Sequence, residues 1–302
     1  MTNDRPRRSA LYLPGSNARA IAKARVLPAD AIILDLEDAV APSAKEQART
    51  LVVAALAEGG FGDRELVVRA NAGSTPWGEE DLRAVARSRL HAVLLPKVES
   101  PDEVGAANEA LRAAGAPDDL ALWCMIETPR GVLAAPEIAT ASPRVAVLVA
   151  GTSDLVKDLR AKHTRERSEV LAALSWVVLS ARAARVGALD GVHLDLDDDA
   201  GLEAACRQGR DLGFDGKTLI HPRQIEAANR AFAPTTGEVE AAGAIVDAYA
   251  AASAAGQGVT VVGGRLVEAL HVEEARRVLA LHGVIARRDT AQRAAGAARG
   301  AP

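Results

Sequence analysis

The sequence contains few of the residues that cross-link chains or bind soft metals, since it has two cysteines among 302 residues. Cys124 and Cys206 stand far apart and neither belongs to a CxxC pair, which argues against a disulfide framework and against a zinc–thiolate site. Aromatic residues make up only 3% of the chain. A buried core must therefore be built from alanine, valine and leucine.

A surplus of positive charge is also absent, because 36 lysines and arginines stand against 40 aspartates and glutamates. With a formal net charge of −4, the chain has no excess with which to neutralise a phosphate backbone, and we expect no nucleic-acid partner. No apolar run approaches the roughly 20 residues that cross a bilayer. The N-terminus is polar and lacks the apolar region of a signal peptide. We expect a cytoplasmic protein with no membrane partner.

Short apolar runs alternate with longer stretches of good helix formers along most of the chain. The eight runs are Ala10–Leu13, Ala31–Leu34, Leu66–Val68, Ala92–Leu95, Leu122–Ile126, Val145–Val149, Val192–Leu194 and Thr218–Ile220. The stretches between them are long enough for the crossover that parallel strands require. Eight such units in roughly 230 residues predict an α/β fold, a (β/α)8 TIM barrel. An open doubly wound sheet is the alternative, but its GxGxxG turn does not follow the first run.

About 70 residues follow the eighth run and its helical stretch, which is more than a barrel needs. A helix, a glycine-rich hairpin and a second helix are expected there. The predicted organisation is a barrel catalytic domain over 1–234, a helical extension that caps the barrel or a neighbouring subunit over 235–290, and a flexible tail over 291–302.

Acidic groups dominate among the charged residues shortly after the apolar runs, and Glu127 and Asp154 come after successive runs. In a barrel, the carboxyl ends of the strands face one mouth, where barrel enzymes place their chemistry. Two carboxylates without a histidine partner suit a hard cation such as Mg²⁺. The alternative is that each carboxylate caps the next helix, because Thr128-Pro129 and Ser153-Asp154 resemble helix starts. Both carboxylates at one mouth favour the metal.

Arg69 ends the third strand segment and could hold a substrate carboxylate or stabilise an enolate oxygen. Alternatively, it neutralises the acidic groups Asp35, Glu37 or Asp38 after the second run. We expect these acids to support Arg69 and metal-bound waters rather than to bind the metal directly. Lys97 could attract an anionic substrate or form a Schiff base, and the metal pair makes the Schiff base the weaker hypothesis.

Six segments, in the right order, closely resemble the citrate lyase beta-subunit-like (CitE-like) branch of the HpcH/HpaI aldolase family. They are Leu11–Asn17, Ile33–Val40, Leu95–Ser100, Ile126–Gly131, Gly151–Leu155 and Gly213–Pro222. The resemblance implies a TIM barrel that assembles as homotrimers or hexamers with Mg²⁺ at its mouth. It also implies cleavage or condensation of C–C bonds in acyl-thioesters such as malyl-CoA and citramalyl-CoA.

The resemblance further implies a role for each candidate residue. By matching motif, the metal ligands are Glu127 and Asp154, the substrate-oxygen binder is Arg69, the supporting acids are Asp35, Glu37 and Asp38, and the side chains that meet the CoA phosphates are Arg19 and Lys23.

One departure from the family concerns the C-terminal segment. Malyl-CoA and citramalyl-CoA lyases carry an acid/base aspartate there, in a Met-Ile-Asp setting that reaches the next subunit. In this chain Glu268 stands in its place and reaches one methylene further. A similar Val-Glu setting resembles the malyl-CoA thioesterase members of the family.

We expect a Mg²⁺-dependent C–C lyase, with a malyl-CoA-type thioesterase or a citryl-carrier lyase subunit as alternatives. A pyruvate aldolase acting on free hydroxy-keto acids is disfavoured by the long extension.

Overall fold

The computed structural model describes residues 5–299, with side chains described as far as residue 290. The chain divides into two compact units. One unit spans Arg7–Phe232, and the other consists of the residues that precede and follow it.

Within the described residues of the first unit, eight parallel strands close into a barrel in chain order, with the last strand pairing back onto the first. The strands are β1 Ser9–Pro14, β2 Ala31–Asp35, β3 Glu65–Arg69, β4 Ala92–Leu95, β5 Ala121–Ile126, β6 Val145–Ala150, β7 Gly187–Asp190 and β8 Gly216–Leu219. This confirms the predicted TIM barrel.

Helices connect successive strands on the outside of the barrel, and a last turn and helix follow β8. They are α1 Ala18–Ala24, α2 Lys45–Glu58, α3 Gly78–Val85, α4 Pro101–Ala113, α5 Pro129–Leu133, α6 Ala135–Thr140, α7 Thr152–Asp158, α8 Leu171–Ala183, α9 Asp199–Leu212 and α10 Ile225–Ala231, with 3-10 turns at Pro42–Ala44 and Pro222–Gln224. Each crossover therefore runs antiparallel to the strands that it joins, as in other βαβ units.

The barrel has two apolar layers because successive strand residues point to opposite faces. The interior is filled by small and medium side chains around one large ring, Trp123, which is fully buried. At the amino end of the strands, Arg7 lies over that ring at 5.4 Å and donates two hydrogen bonds to the Glu65 carboxylate at 2.6 and 2.8 Å. The barrel is therefore a packed core, with a buried ion pair at the end opposite the candidate site.

The seventh strand is not where the sequence analysis placed it. The prediction of Val192–Leu194 is wrong, because β7 is Gly187–Asp190 and residues 192–194 lie in the loop that follows. Leu189 and Asp190 pair in register with Gly216 and Lys217 of β8. The strand can end in the buried Asp190 because buried cations neutralise this carboxylate. A search for apolar runs cannot detect a charged strand end or its distant partners.

Asp190 is the centre of a buried ion cluster between the strands and the helices. It accepts hydrogen bonds from Lys217 Nζ at 2.7 Å and from both terminal nitrogens of Arg167. Asp190 and Lys217 are completely buried. Desolvation lowers the pKa of Lys217, whereas the attraction of Lys217 and Arg167 outweighs the burial of Asp190 and lowers its pKa. All three groups belong to the packing of the barrel.

The described residues of the second unit form two helices and a hairpin. Its elements are α11 Thr236–Ala254, β9 Thr260–Val262, β10 Arg265–Val267 and α12 Ala269–Arg299. Gly263 and Gly264 form the hairpin turn with φ of 56° and 78°, a left-handed backbone that favours glycine. The predicted extension thus consists of these elements, and α12 continues through 291–299, where a tail is expected. Residues 300–302 of that tail lie outside the described residues. Among the described residues, no helix is both long and apolar enough to cross a membrane.

We predict that Asp190→Ala lowers the free energy of unfolding by about 3–5 kcal/mol, because Lys217 and Arg167 lose their shared partner while Lys217 stays buried. Urea denaturation followed by circular dichroism measures the change. Glu79→Ala is the control, since its ion pair with Arg83 is exposed on α3 and we expect it to cost less than about 1 kcal/mol. Equal losses in the two variants would contradict a structural role for the buried cluster.

Candidate active site at the carboxyl end of the barrel

A bidentate ion pair joins the ends of β2 and β3. Asp35 and Arg69 are the last residues of these strands and face each other in register. Arg69 Nε and Nη2 donate to the two oxygens of Asp35 at 2.7 and 2.6 Å. The same carboxylate accepts the backbone N–H groups of Glu37 and Ala39 at 2.8 and 3.1 Å. The guanidinium is therefore held in one orientation, with both partners buried.

Tyr12 of β1 packs against the Arg69 guanidinium from the barrel interior. The sequence analysis did not identify this residue. The Arg69 guanidinium carbon lies 4.9 Å from the centre of the Tyr12 ring, and the Tyr12 hydroxyl lies 3.5 Å from Met125 Sδ. Burial raises the pKa of Tyr12, so the phenol remains protonated at neutral pH. The alternation of side chains along β1 could have identified it, because Tyr12 lies on the same strand face as Ala10 and therefore points into the barrel.

Glu37 and Asp38 complete the acidic surroundings of Arg69. Glu37 Oε2 lies 2.8 Å from Arg69 Nη1, and Asp38 Oδ2 lies 3.7 Å from the same nitrogen. Glu37 is buried, whereas the Asp38 side chain is 59% exposed. Within residues 5–299, Glu37 Oε2 accepts no hydrogen bond despite its contact with the guanidinium. Burial raises the pKa of Glu37.

Lys45 holds the backbone of this acidic turn. Its Nζ donates to the carbonyl oxygens of Leu36 and Glu37, each at 2.8 Å, and to Asn71 Oδ1 at 2.7 Å. Asn71 in turn donates to the Leu36 carbonyl at 2.9 Å. All three ammonium protons therefore have acceptors, and the turn that carries the supporting acids is fixed from α2.

Glu127 directly follows β5 and does not cap the next helix. That role falls to Thr128, whose hydroxyl accepts the backbone N–H of Gly131 at 3.0 Å. Glu127 Oε1 instead accepts the backbone N–H of Lys97 at 2.8 Å. A Cβ on Gly151 would lie 2.3 Å from Glu127 Cβ, so glycine is required beside this carboxylate. Burial, with a contribution from nearby Glu37, raises the pKa of Glu127 to about 7.

Asp154 lies in the first turn of α7 and faces the same group of charges. Lys97 Nζ is 3.6 Å from Asp154 Oδ2, and the backbone N–H of Lys97 donates to the Glu127 carboxylate. Lys97 therefore links both predicted metal ligands. The same ammonium donates to Glu37 Oε1 and lies 3.5 Å from Asp38 Oδ2. Ser153 is not the cap that the sequence suggested, because α7 begins at Thr152. The structure therefore brings all five candidate acids around Arg69 and Lys97.

The residues at this mouth fit a hard divalent cation. Glu127 and Asp154 each present carboxylate oxygens, and Mg²⁺ commonly takes one or two carboxylates from a protein and fills its shell with water and substrate oxygens. Among the described residues, no group of three or more histidine, cysteine or acidic side chains is placed to hold a metal, so a cation here would depend on such outside ligands. Burial raises the pKa of both Glu37 and Glu127, and a cation bound beside them would favour their charged forms.

The remaining candidates lie apart from this cluster or in the other unit. Arg19 and Lys23 stand four residues apart on α1 and are exposed. The turn before α1 is tied to β2 by a hydrogen bond from Gly15 N–H to the Asp35 carbonyl at 2.7 Å. Glu268 belongs to the second unit, directly before α12, and its N–H donates to His271 Nδ1 at 3.1 Å.

Comparison with known families decides the identity of the fold. Residues 8–222 match the model of the HpcH/HpaI aldolase/citrate lyase family. The chain belongs to this family. The matched region contains β1 to β8 and every candidate residue of the barrel mouth.

Relatives within the family differ in their activities. The chain is 47% identical over 275 residues to a (3S)-malyl-CoA thioesterase of Cereibacter sphaeroides, covering 91% of this chain and 94% of that one. It is 39% identical over 280 residues to the citrate lyase subunit beta of Escherichia coli K12, covering 91% and 93%. The structure of CitE from Mycobacterium tuberculosis in complex with magnesium, acetoacetate and coenzyme A is similar with a TM-score of 0.74 and 30% identity, covering 93% of this chain and 99% of that one.

We predict that Arg69→Met lowers the free energy of unfolding by about 3–5 kcal/mol, because Asp35 and Glu37 stay buried without their shared cation. Adding Asp35→Asn should recover part of this loss, since it removes one of the uncompensated charges. Urea denaturation of the two single variants and the double variant measures the coupling. If the two losses simply add, the pair does not stabilise the end of the barrel as a unit.

Proposed function

We propose that the protein is a Mg²⁺-dependent enzyme that cleaves a short 3-hydroxyacyl-CoA thioester of the malyl-CoA type. The observation that carries this proposal is the arrangement of Arg69, fixed by Asp35, beside the carboxylates Glu127 and Asp154 that Lys97 links. Similarity to a malyl-CoA thioesterase and to a coenzyme A complex of CitE supports the choice of a CoA thioester.

The chemistry of such a substrate suits the charges at the mouth. Its carboxylate and hydroxyl oxygens would be held by Mg²⁺ on Glu127 and Asp154, and the cation would supply positive charge to those oxygens. Arg69 carries the fixed donors for an oxygen that gains negative charge during the reaction, either an enolate or a tetrahedral oxyanion. Exposed Arg19 and Lys23 on α1 would meet the phosphates of the CoA moiety.

Thioester hydrolysis is the outcome that the relatives favour. The thioesterase is the more similar of the two curated relatives, at 47% against 39% for the citrate lyase subunit. In hydrolysis, water adds to the thioester carbonyl and the thiolate leaves, so the products are free CoA and the hydroxy acid. Glu268 is our candidate acid/base for this step, and it would act on a neighbouring subunit of a homotrimer or hexamer.

Cleavage of the C–C bond is the second candidate, and it is the outcome that the sequence analysis put first. It would start from the same bound substrate, with transfer of the hydroxyl proton to a base and cleavage of the C–C bond to leave the enolate of acetyl-CoA beside Arg69. Return of a proton to the enolate carbon would complete the reaction. The products would be acetyl-CoA and a 2-oxo acid. The similarity to the citrate lyase subunit beta supports this alternative.

We predict that Glu127→Gln and Asp154→Asn each weaken Mg²⁺ binding on the order of 100-fold, because each removes an anionic oxygen ligand without changing the side-chain shape. Isothermal titration calorimetry of the metal-free protein measures the affinity, and turnover of malyl-CoA should fall in parallel and be abolished by EDTA. Asp158→Asn is the matched control, since it changes a carboxylate on the same helix α7. Unchanged affinity in both site variants would contradict the metal assignment.

We predict that wild-type protein releases free thiol from malyl-CoA without forming glyoxylate, and that Glu268→Ala slows this release by about 100-fold through loss of the acid/base group. A thiol reagent and a hydrazine reagent distinguish the two products. Glu273→Ala, on the exposed surface of α12, is the control. Glyoxylate formation without free thiol would indicate C–C cleavage instead of hydrolysis. Unchanged hydrolysis in Glu268→Ala would show that Glu268 does not take part in the reaction.

A further inference from the structure

Lys97 occupies an unusual position between the acids of the barrel mouth. It follows β4 with φ of 50°, in the left-handed region that non-glycine residues seldom adopt. This backbone directs its N–H to Glu127 while its side chain extends across the mouth. Nothing in the proposed reaction uses the ammonium group, although the protein keeps a strained residue to place it there.

The Lys97 ammonium faces carboxylates from two other connections of the barrel. From the turn after β2, Glu37 accepts its hydrogen bond and Asp38 Oδ2 lies at 3.5 Å, and from α7 Asp154 Oδ2 lies at 3.6 Å. The Lys97 side chain is 35% exposed and the Asp154 side chain 25% exposed, so solvent screens these contacts only in part. The ammonium therefore pairs with Asp154, one of the two carboxylates that would hold a divalent cation.

We propose that Lys97 is a built-in counter-cation that competes with Mg²⁺ for the carboxylates and keeps the Mg²⁺ affinity of the substrate-free protein low. A cation on Asp154 would share that carboxylate with the ammonium, and like charges in a partly desolvated site repel each other. The inference rests on the proposed function, because it takes Glu127 and Asp154 as the metal ligands. It assigns Lys97 a positioning role toward the metal rather than a catalytic one.

The test compares Mg²⁺ affinities of the substrate-free protein by isothermal titration calorimetry. Lys97→Met removes the charge and keeps the length of the side chain, and we expect it to bind Mg²⁺ about tenfold more tightly than the wild type. Lys97→Gln is also neutral but retains an N–H that can donate to Glu37, so it should show the same gain even where the methionine variant folds poorly. Lys97→Arg keeps the positive charge and should bind Mg²⁺ within about threefold of the wild type.

Lys157→Met is the matched control. Lys157 Nζ lies 3.3 Å from the other oxygen of Asp154, but its side chain is 71% exposed, so its charge is screened by solvent. Removal of this second ammonium should change the Mg²⁺ affinity by less than about twofold. The control separates a specific effect of the charge at Lys97 from a general change in net charge.

The outcomes separate this inference from the proposed function. Tighter binding in both neutral variants, with no gain in Lys97→Arg or Lys157→Met, supports competition. Unchanged or weaker binding in Lys97→Met and Lys97→Gln, with wild-type binding that depends on Asp154, overturns the role of Lys97 but leaves the metal site intact. Absence of Mg²⁺ binding in the wild type and in every variant overturns both.

Discussion

The candidate site depends on the ion pair between Asp35 and Arg69. It joins two neighbouring strands at their carboxyl ends and uses two of the three guanidinium nitrogens, so the third projects toward Glu37 and Asp38. The barrel register makes this pairing possible, because parallel strands in a closed barrel bring their last residues side by side. Tyr12 packs against Arg69 from the barrel interior, and Lys45 of α2 holds the turn that follows Asp35.

Negative charge accumulates around this pair, and the balance of that charge links the structure to the proposed chemistry. Five acids face Arg69 and Lys97, with Lys45 beside the turn after β2 and exposed Lys157 beside Asp154, and burial makes two of the acids harder to ionise. A divalent cation would relieve this imbalance, and the substrate would then meet a site that is nearly neutral. A carboxylate-bearing thioester suits such a site, because its own charge is compensated by the cation and by Arg69.

Family membership restricts the chemistry without selecting one reaction. The curated relatives include a thioesterase and a citrate lyase subunit, and the barrel mouth described above can serve either reaction. Both begin with the same bound acid and the same need to stabilise an oxygen anion. The difference between them lies in how protons and water reach the thioester, and Glu268, outside the barrel unit, is the residue that we propose to control it.

Sequence patterns predicted the barrel and most of the residues of its mouth, because strand periodicity and the charged residues after the runs are local properties of the chain. It misplaced β7, since the charge of Asp190 is compensated by Lys217 and Arg167, which are distant in sequence. It also left open whether Glu127 caps a helix, and the cap proved to be Thr128. The contact of Tyr12 with Arg69 and the link that Lys97 makes between the two predicted ligands became visible in the folded barrel alone, because contacts between non-adjacent elements depend on how the barrel closes.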